Sequence, residues 1–358
     1  QMSGLLLENK SYAQAAIEFE YTAYDYAYHE KAPEAGYNAV YGHRENLGIA
    51  AAEEKDRVKR DVIRSSLRFA ETFPKHEKAA LVMGAAVDDI YAMKDFEFAV
   101  TSGRKLLNNF PAADQKIKRA AWLVVAHSSF ELAKFNEAEE GYFNALQLTA
   151  ESEKVHPDIV ENLAASIYKQ GERANKLSDF KTAAGHFLRV AKAAPTSKIR
   201  ASADYDGATA LMQLKDWDRA AEVLTAFRVN YAQHQLQPEV TKKIAYVYKE
   251  AGKLVLAAAE YERIETETKD VEIRREALQL AADLYVDAKE TEKAMQVYRR
   301  YVSYFPKPLE PALETRYKIA GVLKLRNETC VYLEDLRQIV SSDASAGSWR
   351  AAITRYLG

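Results

Sequence analysis

One spacing recurs along the chain, and it limits the possible fold more than any other feature. A residue that is usually aromatic, here called the anchor, is followed by alanine three positions later and usually by a large apolar residue seven positions later. These positions share one face of an α-helix with the anchor. The spacing therefore predicts a helix at each anchor, with an alanine that lets a neighbouring helix come close. The seven anchors are Tyr12, Phe96, Phe135, Phe180, Trp217, Leu254 and Thr291.

The anchors also repeat at a nearly fixed period. From Phe180 to Thr291 successive anchors are 37 residues apart, which is typical of a repeat protein. A second helical run precedes each anchor, with a small or slim residue nine positions before it and a short polar turn in between. Each unit is therefore predicted to be a helix, a tight turn and a second helix. A proline, which cannot continue a helix, stands 15 residues after three anchors, at Pro111, Pro195 and Pro306.

Composition supports helices and argues against several classes of protein. The 14 glycines and 9 prolines are too few for the many turns of a sandwich or barrel. A net charge of −2, with no block of five or six like charges, argues against a nucleic-acid partner. The single cysteine, Cys330, rules out an intramolecular disulfide. No apolar run approaches the roughly 20 residues that span a bilayer.

A search for catalytic and ligand-binding motifs gives no candidate. The chain contains no glycine-rich phosphate loop, no HExxH and no GxSxG, and its seven histidines lack metal-ligand spacing. We interpret Cys330 as a small half-buried residue rather than a nucleophile. We therefore expect no catalytic residues, no cofactor and no metal.

The repeat resembles the tetratricopeptide repeat, which has a small residue in its first helix, then an aromatic, alanine, a second aromatic and a closing proline. The resemblance implies an all-α, right-handed superhelical solenoid of about eight or nine helix pairs over residues 1–340. Units near 35–74 and 311–340 are degenerate. Residues 341–358 are expected to form a linker and the first part of a truncated helix, and we expect the protein to continue beyond Gly358.

The resemblance also implies a binding groove, because exposed positions of the first helices line the concave face in this family. Tyr168 and Tyr205 occupy the same slot in consecutive units and are expected to lie side by side. By this register the groove residues are Asp88, Tyr91, His127, Phe130, Tyr168, Glu172, Asn175, Tyr205, Thr209, Met212, Lys242, Tyr246, Lys249 and Asp283.

These observations predict a non-catalytic scaffold that binds a protein or peptide partner. The NNFP and SYFP helix endings resemble bacterial envelope proteins of the Tol–Pal coordinator and outer-membrane assembly lipoprotein type. That resemblance implies a periplasmic or outer-membrane-associated location, with a cytoplasmic one as the alternative. Two rival hypotheses stay open: an accessory module of a larger protein with a separate catalytic part, and an array that mainly forms homo-oligomers.

Overall fold

The structure, a computed structural model, describes residues 2–342 except 28 and 327. The described part holds eighteen α-helices and no strand, with a π-helical turn at Tyr21–Asp25 and a 3-10 turn at Ala52–Glu54. The helices are α1 (Met2–Glu8), α2 (Tyr12–Glu20), α3 (Ala32–Ile49), α4 (Lys55–Thr72), α5 (Ala79–Ala92), α6 (Phe96–Asn109), α7 (Gln115–Glu131), α8 (Phe135–Gln147), α9 (His156–Lys176), α10 (Phe180–Ala193), α11 (Arg200–Gln213), α12 (Trp217–Asn230), α13 (Gln237–Glu250), α14 (Leu254–Glu267), α15 (Val271–Asp287), α16 (Thr291–Tyr304), α17 (Leu309–Leu325) and α18 (Thr329–Ser342).

The anchor pattern marks the helix starts. Every one of the seven anchors is the first residue of an α-helix. The alanines three residues later are completely buried, as in Ala99, Ala138 and Ala220 at 0 % exposure. The large residues seven positions after the anchor are mostly core as well, with Tyr142 and Tyr298 at 2 % exposure. The prediction of an all-α array of helix pairs is therefore confirmed.

The tight turns inside the pairs share one conformation. The residue two positions before each anchor has a positive φ, for example 62° at Lys94 and 56° at Ala133. The amide of Lys94 donates to the Tyr91 carbonyl (2.8 Å), and that of Asp95 donates to the Ile90 carbonyl (3.4 Å). This is the Schellman arrangement, which satisfies the last carbonyls of the first helix. The same two bonds recur at all seven turns, yet only one of them, at Gly252, has a glycine in the left-handed position.

The chain divides into two compact units, each described here by itself. The first comprises Gln1–Arg173 and Arg189–Arg200, and the second comprises Ala174–Leu188 and Ala201–Gly358. Each unit has its own apolar core. Fully buried members include Phe69, Met83 and Leu106 in the first unit and Leu278, Tyr301 and Leu323 in the second.

Two sequence predictions about the end of the chain can be compared with the described residues. Helix α18 continues through Ser342, so the first two residues of the predicted linker are helical. The remainder, 343–358, lies outside the described residues. Cys330 is exposed rather than half-buried, because it lies near the start of α18 on the face turned away from the core. No helix in the described ranges combines the length and the apolar character needed to cross a membrane.

Candidate functional site

All fourteen predicted groove residues lie on the first helix of a pair, on α5, α7, α9, α11, α13 or α15. We call this set the first-helix surface. None of these fourteen residues is buried, so the repeat register identified solvent-accessible positions. Nine of them are half-buried. The five exposed members are Asp88, Asn175, Lys242, Tyr246 and Lys249.

In the first unit, an aromatic cluster joins two neighbouring first helices. The ring of Tyr91 on α5 lies 6.1 Å from that of His127 on α7, measured between centroids, and 5.8 Å from Phe96. Phe130 on α7 contacts the anchor Phe135 edge-on at 5.3 Å. Each ring packs against a neighbouring ring and is also half exposed to solvent. Aromatic side chains at binding surfaces commonly have this arrangement.

His127 is held in a defined protonation state by the core beneath it. Its Nδ1 lies 2.7 Å from the hydroxyl of Tyr142, and burial lowers the pKa of the imidazole despite the opposing charge of Glu131. Burial also raises the pKa of the Tyr142 hydroxyl, so that group keeps its proton and can either donate a hydrogen bond to Nδ1 or accept one from it. In the first case the neutral ring carries its proton on Nε2, and in the second Nε2 is a hydrogen-bond acceptor.

A cavity of about 390 Å³ opens beside this histidine, between α7 and the start of α9. Its wall combines apolar Val155 and Ile159 with the polar side chains of Asp158 and Asn162. Sequence reasoning missed these residues, because they belong to the stretch 149–162 that breaks the repeat. The break itself was the available signal, since an insertion in a repeat array often lies on the binding side.

The adjacent acids Asp88 and Asp89 have different roles. Asp89 pairs with Arg44 (3.3 Å) and Lys59 (3.7 Å) and so helps to hold α3, α4 and α5 together. Asp88 is exposed, and its pKa is raised by partial burial and by the neighbouring charge of Asp89. A cationic or hydrogen-bond-donating partner would stabilise the ionised form of this exposed carboxyl group and lower its pKa.

In the second unit the most accessible aromatic residue of the first-helix surface is Tyr246 on α13. Its side chain is 44 % exposed, and its ring is braced edge-on by Trp217, with 6.0 Å between centroids. Lys242 and Lys249 are exposed and lie four residues before and three residues after it, on the same helix face. The result is a braced aromatic ring between two lysines, of which Lys242 also pairs with Glu239 at 3.0 Å.

Other members of the surface in this unit also serve the fold. The ring of Tyr205 packs against the buried Phe227 at 6.3 Å, and Lys243 lies 5.0 Å above it. Burial lowers the pKa of Lys243 and raises that of Tyr205. The carboxylate of Asp283 accepts from Tyr298 and from Lys318 (2.9 Å), so much of its bonding capacity is already used.

The remaining predicted residues make local contacts. Glu172 accepts from Lys169 one turn earlier (2.6 Å), and the hydroxyl of Thr209 donates to the carbonyl of Tyr205 (3.0 Å). Tyr168 belongs to the first unit and Tyr205 to the second, so their expected side-by-side placement stays a prediction. Across the described residues no group of three metal-ligating side chains converges.

Comparisons with known proteins add a family name for one segment. The chain is weakly similar to several solved structures. One is Naa15/Naa10 bound to HypK-THB, with 16 % identity, coverage of 91 % of this chain and 44 % of that chain, and a TM-score of 0.38. Two others, with the same quantities in the same order, are apo RapI (12 %, 99 %, 96 %, 0.33) and pilF of Pseudomonas aeruginosa (16 %, 66 %, 96 %, 0.27).

This chain thus spans less than half the length of the first of these. No curated protein matches in sequence. The tetratricopeptide repeat profile matches residues 276–308, which cover most of α15 and all of α16. One unit of the second compact half is therefore recognisable in sequence as a tetratricopeptide repeat.

Proposed function

We propose that this chain is a non-catalytic scaffold that binds a peptide or protein segment on its first-helix surface. The observation that carries the proposal is Tyr246, an exposed ring held by Trp217 between Lys242 and Lys249. A tyrosine that is already immobilised loses little conformational entropy on binding. The flanking lysines favour a segment in which an apolar residue is accompanied by acidic ones.

The first unit has first-helix residues of its own that could contact a partner. The cavity beside His127 is large enough for one apolar side chain with its backbone, and the ring of Tyr91 lies 6.1 Å from that of His127. The Nε2 atom of the neutral imidazole supplies one hydrogen-bonding group there, a donor or an acceptor according to the tautomer. These features support binding through a few side-chain anchors rather than through one deep pocket.

Site-specific photocrosslinking tests the proposal and identifies the partner. A photoreactive phenylalanine analogue is placed at Tyr246 and, as a matched control, at Tyr304. Both are tyrosines of the second unit with comparable exposure, 44 % and 54 %, but Tyr304 lies on a second helix, α16. We expect a discrete crosslinked product from position 246 only. Equal products at both positions, or none at 246, would show that this surface is not the binding site.

Affinity for the identified segment then provides the quantitative test. Truncation of a central interface tyrosine costs about 2 kcal/mol, so Tyr246→Ala is expected to weaken binding about 30-fold. Tyr304→Ala should leave the affinity within about twofold. Tyr205→Ala is a poorer probe, because loss of its contact with buried Phe227 also weakens the fold.

An envelope location is a further part of this proposal, and it is supported by the style of the helix endings at NNFP and SYFP. A periplasmic scaffold would hold components of an envelope assembly, whereas a cytoplasmic array would serve as a module of a larger regulator. Fractionation of cells that express the native gene separates the two. Recovery with the cytoplasmic fraction would contradict the envelope proposal and leave the binding surface unaffected.

Self-association is the remaining rival for the same surface. Sedimentation velocity across a concentration range distinguishes it from binding to a different protein. A monomer at all concentrations, together with crosslinking of another protein at position 246, is the expected result. A dimer that Tyr246→Ala dissociates would instead assign this surface to self-association.

A further inference from the structure

A groove in the first unit lies away from the first-helix surface. It has a volume of about 840 Å³ and is formed by α4, the end of α5 and the start of α6. None of the fourteen first-helix residues lines it. An inference about this groove therefore stands independently of the proposed function.

One wall of the groove is a stripe of arginines on α4. Arg60, Arg64 and Arg68 are four residues apart, so they lie on one helix face about 6 Å apart and span about 12 Å. All three side chains are exposed. Lys94, in the turn between α5 and α6, adds a fourth cation to the same groove.

The arginines are only partly neutralised by the chain itself. Arg64 pairs with Asp61 at 3.0 Å, whereas no described carboxylate lies within salt-bridge distance of Arg60 or Arg68. The guanidinium carbon of Arg68 lies 3.9 Å from the centroid of the Tyr24 ring. Tyr24 belongs to the π-helical turn. Stacking of this kind fixes a guanidinium while its N–H edge stays available for a carboxylate.

The acidic side chains of the groove are already engaged elsewhere. Glu71 accepts from Lys105 at 2.7 Å, and Asp95 caps α6 by accepting from the amide of Phe98 at 3.3 Å. Neither carboxylate pairs with the arginine stripe. The groove therefore presents a net positive rim to an incoming ligand.

The floor of the groove is apolar. Ile63 and Ile90 are buried beneath it, at 6 % and 1 % exposure, and Leu67 and Met93 are half-buried. Phe98 stands at its edge with 42 % of its side chain exposed. A cationic rim over an apolar floor is complementary to a ligand that carries acidic and apolar side chains in separate rows.

We propose that this groove binds an acidic amphipathic helix of a partner protein. In such a helix, carboxylates at every fourth residue repeat at about 6 Å, which matches the spacing of Arg60, Arg64 and Arg68. Each carboxylate then faces one guanidinium, and the adjacent apolar row lies against Met93 and Phe98. An extended acidic segment repeats same-side residues at about 6.6 Å but offers no continuous apolar row for this floor.

The test uses the full chain and a fluorescein-labelled synthetic helix with glutamate at every fourth position beside a row of leucines. Fluorescence anisotropy measures its binding to the wild type and to two double variants. Arg60→Glu/Arg68→Glu reverses the two unpaired arginines. Lys55→Glu/Arg57→Glu makes the same change of net charge on α4 outside the groove. Circular dichroism checks that each variant is folded.

We expect saturable binding to the wild type, a loss of about tenfold or more in the groove variant and a change within about twofold in the control. Phe98→Ala should weaken binding about threefold to tenfold without altering the salt dependence. A peptide with lysine in place of each glutamate should not bind.

Three outcomes would overturn the proposal. These are an equal loss of affinity in the control and groove variants, absence of saturable binding up to about 1 mM, and tighter binding of anionic phosphatidylglycerol vesicles than of the peptide. None of them bears on crosslinking at Tyr246, so the failure of this inference and that of the proposed function are distinguishable.

Discussion

Two paired helices approach each other closely at Gly141, and this contact yields a prediction with a defined sign. Gly141 on α8 faces Ala126 on α7. A Cβ at position 141 would lie 2.8 Å from the Ala126 Cβ and 3.0 Å from its Cα and amide nitrogen. Two of these three atoms are backbone, so they cannot rotate aside. Gly141→Ala must therefore separate the two helices until the contact reaches about 3.5–4.0 Å.

The expected cost can be separated into two terms. Overpacking of a core contact costs about 1–3 kcal/mol, while alanine gains about 1 kcal/mol over glycine inside a helix. Gly185 provides the matched control, because it lies inside α10 with nothing within 4 Å of its Cβ position. Gly185→Ala should therefore show only the stabilisation that alanine brings to a helix. The difference between the two variants then measures the overpacking term, about 1–3 kcal/mol.

Thermal unfolding followed by circular dichroism gives the first comparison. For units of this size, about 1 kcal/mol shifts the midpoint by roughly 2–4 °C. Because the chain has two compact units, hydrogen–deuterium exchange is the more local measurement. We expect Gly141→Ala to increase exchange in α7 and α8. If it instead raised the midpoint as much as Gly185→Ala, the account of small residues as contact points between paired helices would be refuted.

Three further predictions concern stability. Ala133→Gly should stabilise by about 0.5–1 kcal/mol in urea unfolding, because φ is 56° there; a lower midpoint would contradict this. Glu260→Ala should cost about 2–3 kcal/mol by leaving half-buried Arg228 unpaired, whereas Lys242→Ala, at an exposed pair, should cost under about 0.5 kcal/mol. Burial lowers the pKa of His127 in the folded state, so near pH 6.5 this imidazole binds a proton more readily in the unfolded chain. The free energy of unfolding should therefore decrease as the pH falls below about 6.5, and it should decrease less steeply in His127→Gln than in the wild type.

Much of the fold follows from the sequence because its determinants are local. An anchor and the alanine three residues later define one helix face, and the face is repeated often enough to be recognised. Ala99 and Ala138 are accordingly buried completely. The degenerate unit is harder, because α4 begins at Lys55 without an aromatic anchor and its core is built from Val58, Val62 and Phe69.

The left-handed backbone conformation of the turns could not be predicted from residue type. The left-handed position that ends each first helix holds Lys94, Ala133 and Lys215, although glycine is the residue that this conformation favours. Here the turn is fixed by the packing of the two helices it joins, which outweighs a local cost of about 1–2 kcal/mol. The cavity beside His127 was missed for a similar reason, because it depends on where α9 begins relative to α7.

The repeat also determines which residues can report on binding without disturbing the fold. Tyr91 and His127 both face solvent and pack against neighbouring rings, so substitutions there change stability and recognition together. Tyr246, Phe98 and Arg60 are exposed and lie outside the buried positions that define the repeat, although the ring of Tyr246 also contacts the anchor Trp217. Effects of their substitution on binding, in variants that remain folded, can therefore be assigned to recognition. Tyr246 and the Arg60–Phe98 groove thus test two surfaces of the protein separately.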